Sequence, residues 1–300
     1  MIDKSLVIYA SYPKTGSTYI PDIIKNINMG SSGCIKNFLF LKGKNNFIIE
    51  SDGAVNYVIK THEIMPVLLR QFKDQHSVNP HCFTDDVNGL NKDFYFNHKI
   101  IYILRNPFRV LVSAINYSRI LYEREDVRLI WRRRGTDREY FIDFLGMESI
   151  PSVEDFKIYD FLRNPPSLIE SVILKYIDGN GLIPVFQVPG YFDHVNYWVN
   201  FISDKKSVLV LTYEDLMKKN DISLGSLASM IGVSKDVIFK SVIDLEERRL
   251  NPKDIMYRSP FYSDFGLGTP REIIELSSWC RIRSMVRDRV SEFERYSLLD

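Results

Sequence analysis

Leu6-Val7-Ile8-Tyr9-Ala10 leads into Ser11-Tyr12-Pro13-Lys14-Thr15-Gly16-Ser17-Thr18-Tyr19, and Ile20, Ile23, Ile24 and Ile27 follow at helical spacing. A short, unbroken apolar run rich in β-branched and aromatic residues predicts a strand buried on both faces. The isoleucine spacing predicts an amphipathic helix. Between them lies a tight loop whose Gly16 permits close backbone approach. Strand, tight loop and helix start make a phosphate-binding arrangement, because the first helical N–H groups lack partners and the helix dipole favours an anion there. Ser17 and Thr18 add hydroxyl donors, and Lys14 adds a point charge. The lysine precedes the glycine, so this is not the G-x-x-x-x-G-K-[ST] nucleotide loop. Taken alone, the segment suits a plain strand–turn–helix with a surface lysine equally well.

The pattern repeats along the chain. Val55 to Ile59 leads into Lys60-Thr61-His62, with Val67, Leu68 and Phe72 beyond. Ile100 to Leu104 leads into Arg105-Asn106-Pro107, with Val110, Leu111, Ala114 and Ile115 beyond. Val208 to Leu211 leads into Tyr213-Glu214-Asp215-Leu216. Apolar strands alternating with helices predict an α/β fold, a parallel β-sheet flanked by helices in three α/β/α layers, with residues 1–300 as one domain. In such a sheet the strand C-terminal ends share an edge, and ligands bind there. Ser234 is a helix cap ahead of Val237, Ile238 and Val242. Residues 269 to 293 predict a last helix opened by Thr269-Pro270.

Bulk properties exclude several classes. The chain has 300 residues, 45% of them apolar, enough for a packed core. Lys and Arg total 39 against 38 Asp and Glu, a formal net charge of +1. That balance gives no global attraction to nucleic acid or to an anionic membrane, so any anion site is built locally. Leu6 to Ala10 is too short for a signal peptide or a membrane span, and a cytoplasmic protein is expected. Cys34, Cys82 and Cys280 are scattered and odd in number, which argues for a reducing compartment. His76, His81 and Cys82 lie close together but have no matching second ligand cluster, so no metal is expected.

Each strand end delivers chemistry. Lys60 and His62 emerge together, and an ordinary histidine pKa of about 6.5 suits a general base near neutrality. The bland alternative is a hydrogen-bonded loop histidine. Arg105 presents a planar fork suited to phosphate, and Ser113 follows in the next helix. Their alternatives are a structural salt bridge and a polar helix surface. Tyr213-Glu214-Asp215 needs no function as an acidic helix start.

Together and in this order, these segments resemble the PAPS-dependent sulfotransferases of the cytosolic type (PAPS being 3′-phosphoadenosine-5′-phosphosulfate). Tyr12 to Tyr19 is similar to their 5′-phosphosulfate loop, Y-P-K-[SA]-G-[TN]-[TS]-W, and Lys60-Thr61-His62 to their K-T-H element. Ile103 to Pro107 with Ser113 resembles their 3′-phosphate segment. Leu211-Thr212-Tyr213-Glu214-Asp215-Leu216 resembles their Y-E-D-L segment, and Tyr191 to Trp198 their H-x-x-x-W stretch. The resemblance runs from residue 6 to about 235. It departs at Tyr19, where the family usually has Trp. It departs again near the end, where only Arg258 carries over from the family's R-K-G and G-x-x-G-x-W-K elements. The family's short dimer motif is absent, and no oligomeric state follows.

The resemblance implies the P-loop NTPase-like sulfotransferase fold and sulfuryl transfer from PAPS, with adenosine 3′,5′-bisphosphate (PAP) as product and no metal. It implies catalytic roles for Lys14, Lys60, His62 and Ser113. It implies cofactor binding by Lys14, Thr15, Gly16, Ser17, Thr18, Tyr19, Arg105, Ser113, Tyr213 and Arg258. The expected partner is a small-molecule acceptor, with no nucleic acid and no membrane. The expected acceptor atom is a hydroxyl oxygen, with an amino or amide nitrogen second. Aromatic residues at 72–98 and 121–160, among them Phe83, Phe94, Trp131 and Tyr140, suit a small organic acceptor as a group, while individually most of them suit ordinary core packing better. The run Arg128, Arg132, Arg133 and Arg134 suits either a solvated helix face or an acidic acceptor such as a glycan. Two rivals stay open: a kinase-like nucleotide-binding protein, and a catalytically silent scaffold with this fold.

Overall fold

The structure is a computed structural model. It describes residues 3–27, 33–40, 43–51, 54–62, 98–111, 113–114, 173–177, 190–203, 205, 207–250 and 276–299. The chain divides into two compact units, residues 1–104 with 200–254, and residues 105–199 with 255–300.

The first unit is built on a six-stranded sheet flanked by helices. Its strands are β1 (Asp3–Ser11), β2 (Gly33–Phe40), β3 (Gly43–Ser51), β4 (Ala54–Thr61), β5 (Lys99–Leu104) and β6 (Val208–Thr212), in the order β2-β3-β4-β1-β5-β6. All four apolar runs named from the sequence are strands, and they are mutually parallel: β1 with β4, β1 with β5, and β5 with β6. Their unbroken apolar character has the expected cause. Leu6 to Ala10 and Ile100 to Leu104 are at most 1% exposed, so neither face meets water. Each such side chain contributes roughly 1.5–3 kcal/mol by burial.

The sheet is mixed, not wholly parallel. β2 pairs antiparallel with β3, and β3 antiparallel with β4. In β3, Phe47 and Ile49 are buried while Ile48 and Glu50 are partly exposed, the alternation of a half-covered antiparallel strand. The Glu50 carboxylate accepts from Cys34 Sγ and from Lys36 Nζ, each at 3.0 Å, which ties the two strands together side chain to side chain.

Helix α1 (Tyr19–Lys25) follows β1. Ile20, Ile23 and Ile24 are buried, as their spacing requires. Other helices are α2 (Tyr191–Ile202), α3 (Tyr213–Met217), α4 (Asp221–Ile231), α5 (Lys235–Leu250), α6 (Leu276–Arg289) and α7 (Glu292–Arg295). α5 begins at the Ser234 cap, whose Oγ accepts from Val237 N–H at 3.4 Å. It is fastened to α1, where Ser241 Oγ donates to the Ile23 carbonyl at 2.5 Å and Arg248 donates to Asn26 Oδ1 at 2.7 Å. The Tyr213 segment is a short helix capped by Thr212, whose Oγ1 accepts from Asp215 N–H at 3.0 Å. Among the described residues, no single helix is long and apolar enough to cross a membrane.

The second unit is organised by aromatic packing. Tyr191 and Phe192 of α2 meet Tyr176 and Phe293, with ring centroids 5.2–6.4 Å apart. Phe108 packs on Trp279 at 4.7 Å. Arg289 of α6 pairs with Asp193 of α2 at 2.9 Å, and its carbonyl accepts from Asn196 at 3.1 Å. The span predicted as one last helix, 269 to 293, holds α6 from Leu276 to Arg289 and the start of α7 at Glu292, with a break at Val290 and Ser291, and Thr269-Pro270 lies outside the described residues.

Candidate active site

Register fixes which residues share an edge in the first unit. Ala10 lies beside Thr61, Ser11 beside Ile103, and Leu104 beside Thr212. The loop after β1, His62 after β4 and Tyr213 after β6 therefore leave the sheet at the same C-terminal edge.

The loop is held from within. Thr15 is fully buried, and both its N–H and its hydroxyl donate to the Tyr12 carbonyl, at 3.2 and 2.7 Å. Tyr19 N–H donates to the Gly16 carbonyl at 2.9 Å, and the Tyr9 hydroxyl donates to the same oxygen at 3.2 Å. Tyr9 is buried, and loss of water pushes its phenol well above the ordinary range, so it stays a donor. Lys14 adopts φ 72°, a left-handed conformation that costs a non-glycine residue roughly 1–2 kcal/mol. Such cost at a loop of this kind is a mark of function rather than of stability.

Gly16, at φ +92°, lies directly under Tyr213. A Cβ there would overlap the Tyr213 ring, so glycine is required both by conformation and by space. Gly16→Ala should cost about 1–3 kcal/mol of stability and weaken nucleotide binding at least tenfold. Chemical denaturation and calorimetric titration with PAP check this, and an unchanged affinity contradicts it.

The backbone N–H groups of Gly16, Ser17 and Thr18 make no hydrogen bond among the described residues, and Thr18 does not cap α1 with its side chain. Three successive unclaimed donors, two adjacent hydroxyls and the Lys14 ammonium fit a phosphate. Tyr19 is buried and packs edge-on against Tyr213, with centroids 6.1 Å apart and planes at 77°.

His62 is oriented by the neighbouring strand. Its Nδ1 lies 2.5 Å from the Ser11 carbonyl. A carbonyl only accepts, so Nδ1 carries a hydrogen, and in the neutral imidazole this makes Nε2 the basic nitrogen, the tautomer a general base needs. Lys60, two residues earlier, is partly buried. Loss of hydration is the largest influence on it and brings its pKa down from 10.5 to about 8, partly offset by the carboxylate of Asp22. A folded-state value below the ordinary one means that charging Lys60 costs stability in full below about pH 8. Stability from this group is regained as pH rises from about 8 towards 10.5.

Arg105 and Ser113 belong to the second unit. Asn106 caps the helical stretch that follows: its Oδ1 accepts from Phe108 and Arg109 N–H at 2.9 and 3.2 Å, with Pro107 at the first helical position. The Tyr191 hydroxyl brackets the Arg105 backbone, accepting from its N–H at 3.1 Å and donating to its carbonyl at 2.7 Å. Ser113 is partly buried in the same helical stretch. Arg258, the aromatic segments of 72–98 and 121–160 (save His98), the arginine run at 128–134 and the His76-His81-Cys82 group lie outside the described residues. Among the described residues, no group of His, Cys, Asp or Glu is placed to hold a metal ion.

Three positioning groups were not singled out from the sequence: the Ser11 carbonyl on His62, the Tyr9 hydroxyl on Gly16, and the Tyr191 hydroxyl on Arg105. Only Tyr191 had a signal, as the first residue of the stretch quoted through Trp198.

The sulfotransferase domain family matches residues 4–249, and the chain belongs to that family. Solved structures with a similar chain path include the mouse sulfotransferase SULT7A1 complexed with PAP. That match has 15% identity and a TM-score of 0.47, and covers 95% of this chain and 85% of that one. Another is retinol dehydratase in complex with androsterone and inactive cofactor PAP, at 14% identity and a TM-score of 0.43, covering 95% of this chain and 80% of that one. No curated protein matches the chain.

Proposed function

We propose that the protein transfers a sulfuryl group from PAPS to a hydroxyl of a small-molecule acceptor, acting as one catalytic domain in the cytoplasm. One observation carries this reading: the loop after β1, whose Gly16, Ser17 and Thr18 N–H groups are unclaimed among the described residues, leaves the sheet beside His62, which follows β4 and donates from Nδ1 to the Ser11 carbonyl. When bound, PAPS supplies a sulfuryl group on a phosphate leaving group, a transfer that needs charge stabilisation and positioning more than covalent help.

Each residue has its own task. Gly16, Ser17 and Thr18 bind the 5′-phosphate, with Thr15 holding the turn. Lys14 places positive charge where the leaving oxygen develops negative charge. Lys60 adds a second positive charge. His62 Nε2 takes the acceptor's proton. Arg105 and Ser113 bind the 3′-phosphate, Tyr213 and Tyr19 take the adenine side, and Arg258 adds to the 3′-phosphate clamp. Family membership supports these roles.

The test is selective stabilisation. PAP at about 100 times its dissociation constant should add roughly 2.7 kcal/mol to the stability of the protein. AMP at the same concentration should add far less, since it offers nothing to Arg105 and Ser113. Thermal melts with each nucleotide, with and without Mg²⁺, measure this. Equal shifts for PAP and AMP overturn the 3′-phosphate assignment, and a larger shift with ATP and Mg²⁺ favours the kinase-like rival.

A further inference from the structure

Arg105 stands just past the point where the β5 ladders stop. The last register pairs are Ile103 with Ser11 and Leu104 with Thr212, and Arg105 is the next residue of the chain. Its main chain is held by a side chain instead. The Tyr191 hydroxyl accepts from the Arg105 N–H at 3.1 Å and donates to the Arg105 carbonyl at 2.7 Å. A hydroxyl has both a donor hydrogen and lone pairs, so one oxygen serves both backbone groups.

That oxygen is itself fixed by packing. Tyr191 is fully buried at the start of α2. Its ring lies parallel to Tyr176 with centroids 6.4 Å apart, edge-on to Phe192 at 6.0 Å and tilted against Phe293 at 5.6 Å. A ring enclosed this way cannot swing, so its hydroxyl stays in one place. The residue after Arg105 is anchored as well, because Asn106 Oδ1 accepts from the Phe108 and Arg109 N–H groups. A guanidinium is a rigid fork, and its bonds to phosphate depend on where the main chain puts it. A misplacement of about 1 Å at a binding group is costly.

We propose that Tyr191 is a positioning residue that sets selectivity for a 3′-phosphate: its hydroxyl fixes the Arg105 main chain, so that the guanidinium is placed for that group before nucleotide binds. This rests on the proposed role of Arg105. Tyr191 touches no ligand in this role. A nucleotide with a 3′-phosphate draws on the anchored arginine, and AMP does not. The competing role is core packing alone, which would act on every nucleotide alike.

The experiment is calorimetric titration of PAP and of AMP into the wild type, Tyr191→Phe, Arg105→Ala and the double variant, with thermal melts to check folding. Tyr191→Phe keeps the ring and loses only the hydroxyl. PAP affinity should fall about tenfold, the size of an ordinary hydrogen-bond loss, while AMP affinity stays within about twofold. In the Arg105→Ala background, adding Tyr191→Phe should change PAP affinity less than about twofold, because residues that act as a unit are not additive. Unchanged PAP affinity in Tyr191→Phe, an equal loss for PAP and AMP, or a fully additive loss in the double variant overturns the proposal. Wild-type PAP affinity in Arg105→Ala instead overturns the role of Arg105 itself. Hydrogen exchange in the nucleotide-free wild type reads the same anchor without a variant. The Arg105 N–H should be protected there, and exchange as fast as in an unfolded chain overturns the proposal even where Tyr191→Phe does not fold.

Discussion

His62→Ala lowers kcat by about 10²–10⁴-fold while PAP affinity stays within about twofold of wild type. The magnitude is that of a general base. The asymmetry follows from the proposed role: Nδ1 of His62 donates to the Ser11 carbonyl, and Nε2 is the nitrogen proposed to take the acceptor proton. With His62 as the proposed base, the wild-type pH profile should carry an acidic limb that is lost in the variant. With Lys60 in its proposed role and its pKa brought down to about 8 by loss of hydration, activity should fall above that pH in the wild type and in His62→Ala alike. The assay uses an aliphatic alcohol, because an acidic phenol arrives partly ionised and masks the missing base. Steady-state kinetics with calorimetric PAP titration measure both quantities. Wild-type turnover in His62→Ala at neutral pH removes the base from this residue.

Lys14→Ala has a different signature. In its proposed role its ammonium serves the bound phosphate and the charge that grows on the leaving oxygen, so rate and affinity should both fall. The loss in kcat should be about 10²–10³-fold, and the loss in PAP affinity about ten- to a hundredfold, the size of a charge-assisted bond of roughly 1.5–3 kcal/mol. Lys14 also sits at φ 72°, so glycine suits the backbone better than alanine. Lys14→Gly should therefore be more stable than Lys14→Ala by about 1 kcal/mol and equally inactive. Chemical denaturation and kinetics on the pair separate backbone from charge. A Lys14→Ala enzyme with wild-type kcat contradicts the leaving-group role.

The parallel half of the sheet was legible because its strands are buried on both faces. That burial leaves unbroken runs such as Ile100 to Leu104, which stand out in any reading. The antiparallel strands β2 and β3 were not. Asn37, Lys36, Lys44 and Asn46 dilute the apolar signal, and only the alternation of Phe47, Ile48, Ile49 and Glu50 marks a strand. Lys14, His62, Arg105 and Tyr213 were legible as candidates because each lies just beyond a strand. What holds them was not. The Ser11 carbonyl is a backbone atom with no sequence signature, and Tyr9 and Tyr191 act through hydroxyls at the ends of otherwise apolar rings. Asp22 reads as an ordinary first-turn acid, favourable near a helix start. Its burial comes from tertiary packing, which no periodicity reveals.

Sulfuryl transfer from PAPS is tested by a single assay. The wild-type protein is incubated with sulfur-labelled PAPS and a panel of alcohols, phenols and amines, and acceptor mass and released PAP are followed together. At least one acceptor should gain a single sulfuryl group, PAP should appear in equal amount without added metal, and both should be lost in Lys14→Ala. A folded protein that binds PAP yet transfers label to nothing in the panel contradicts it.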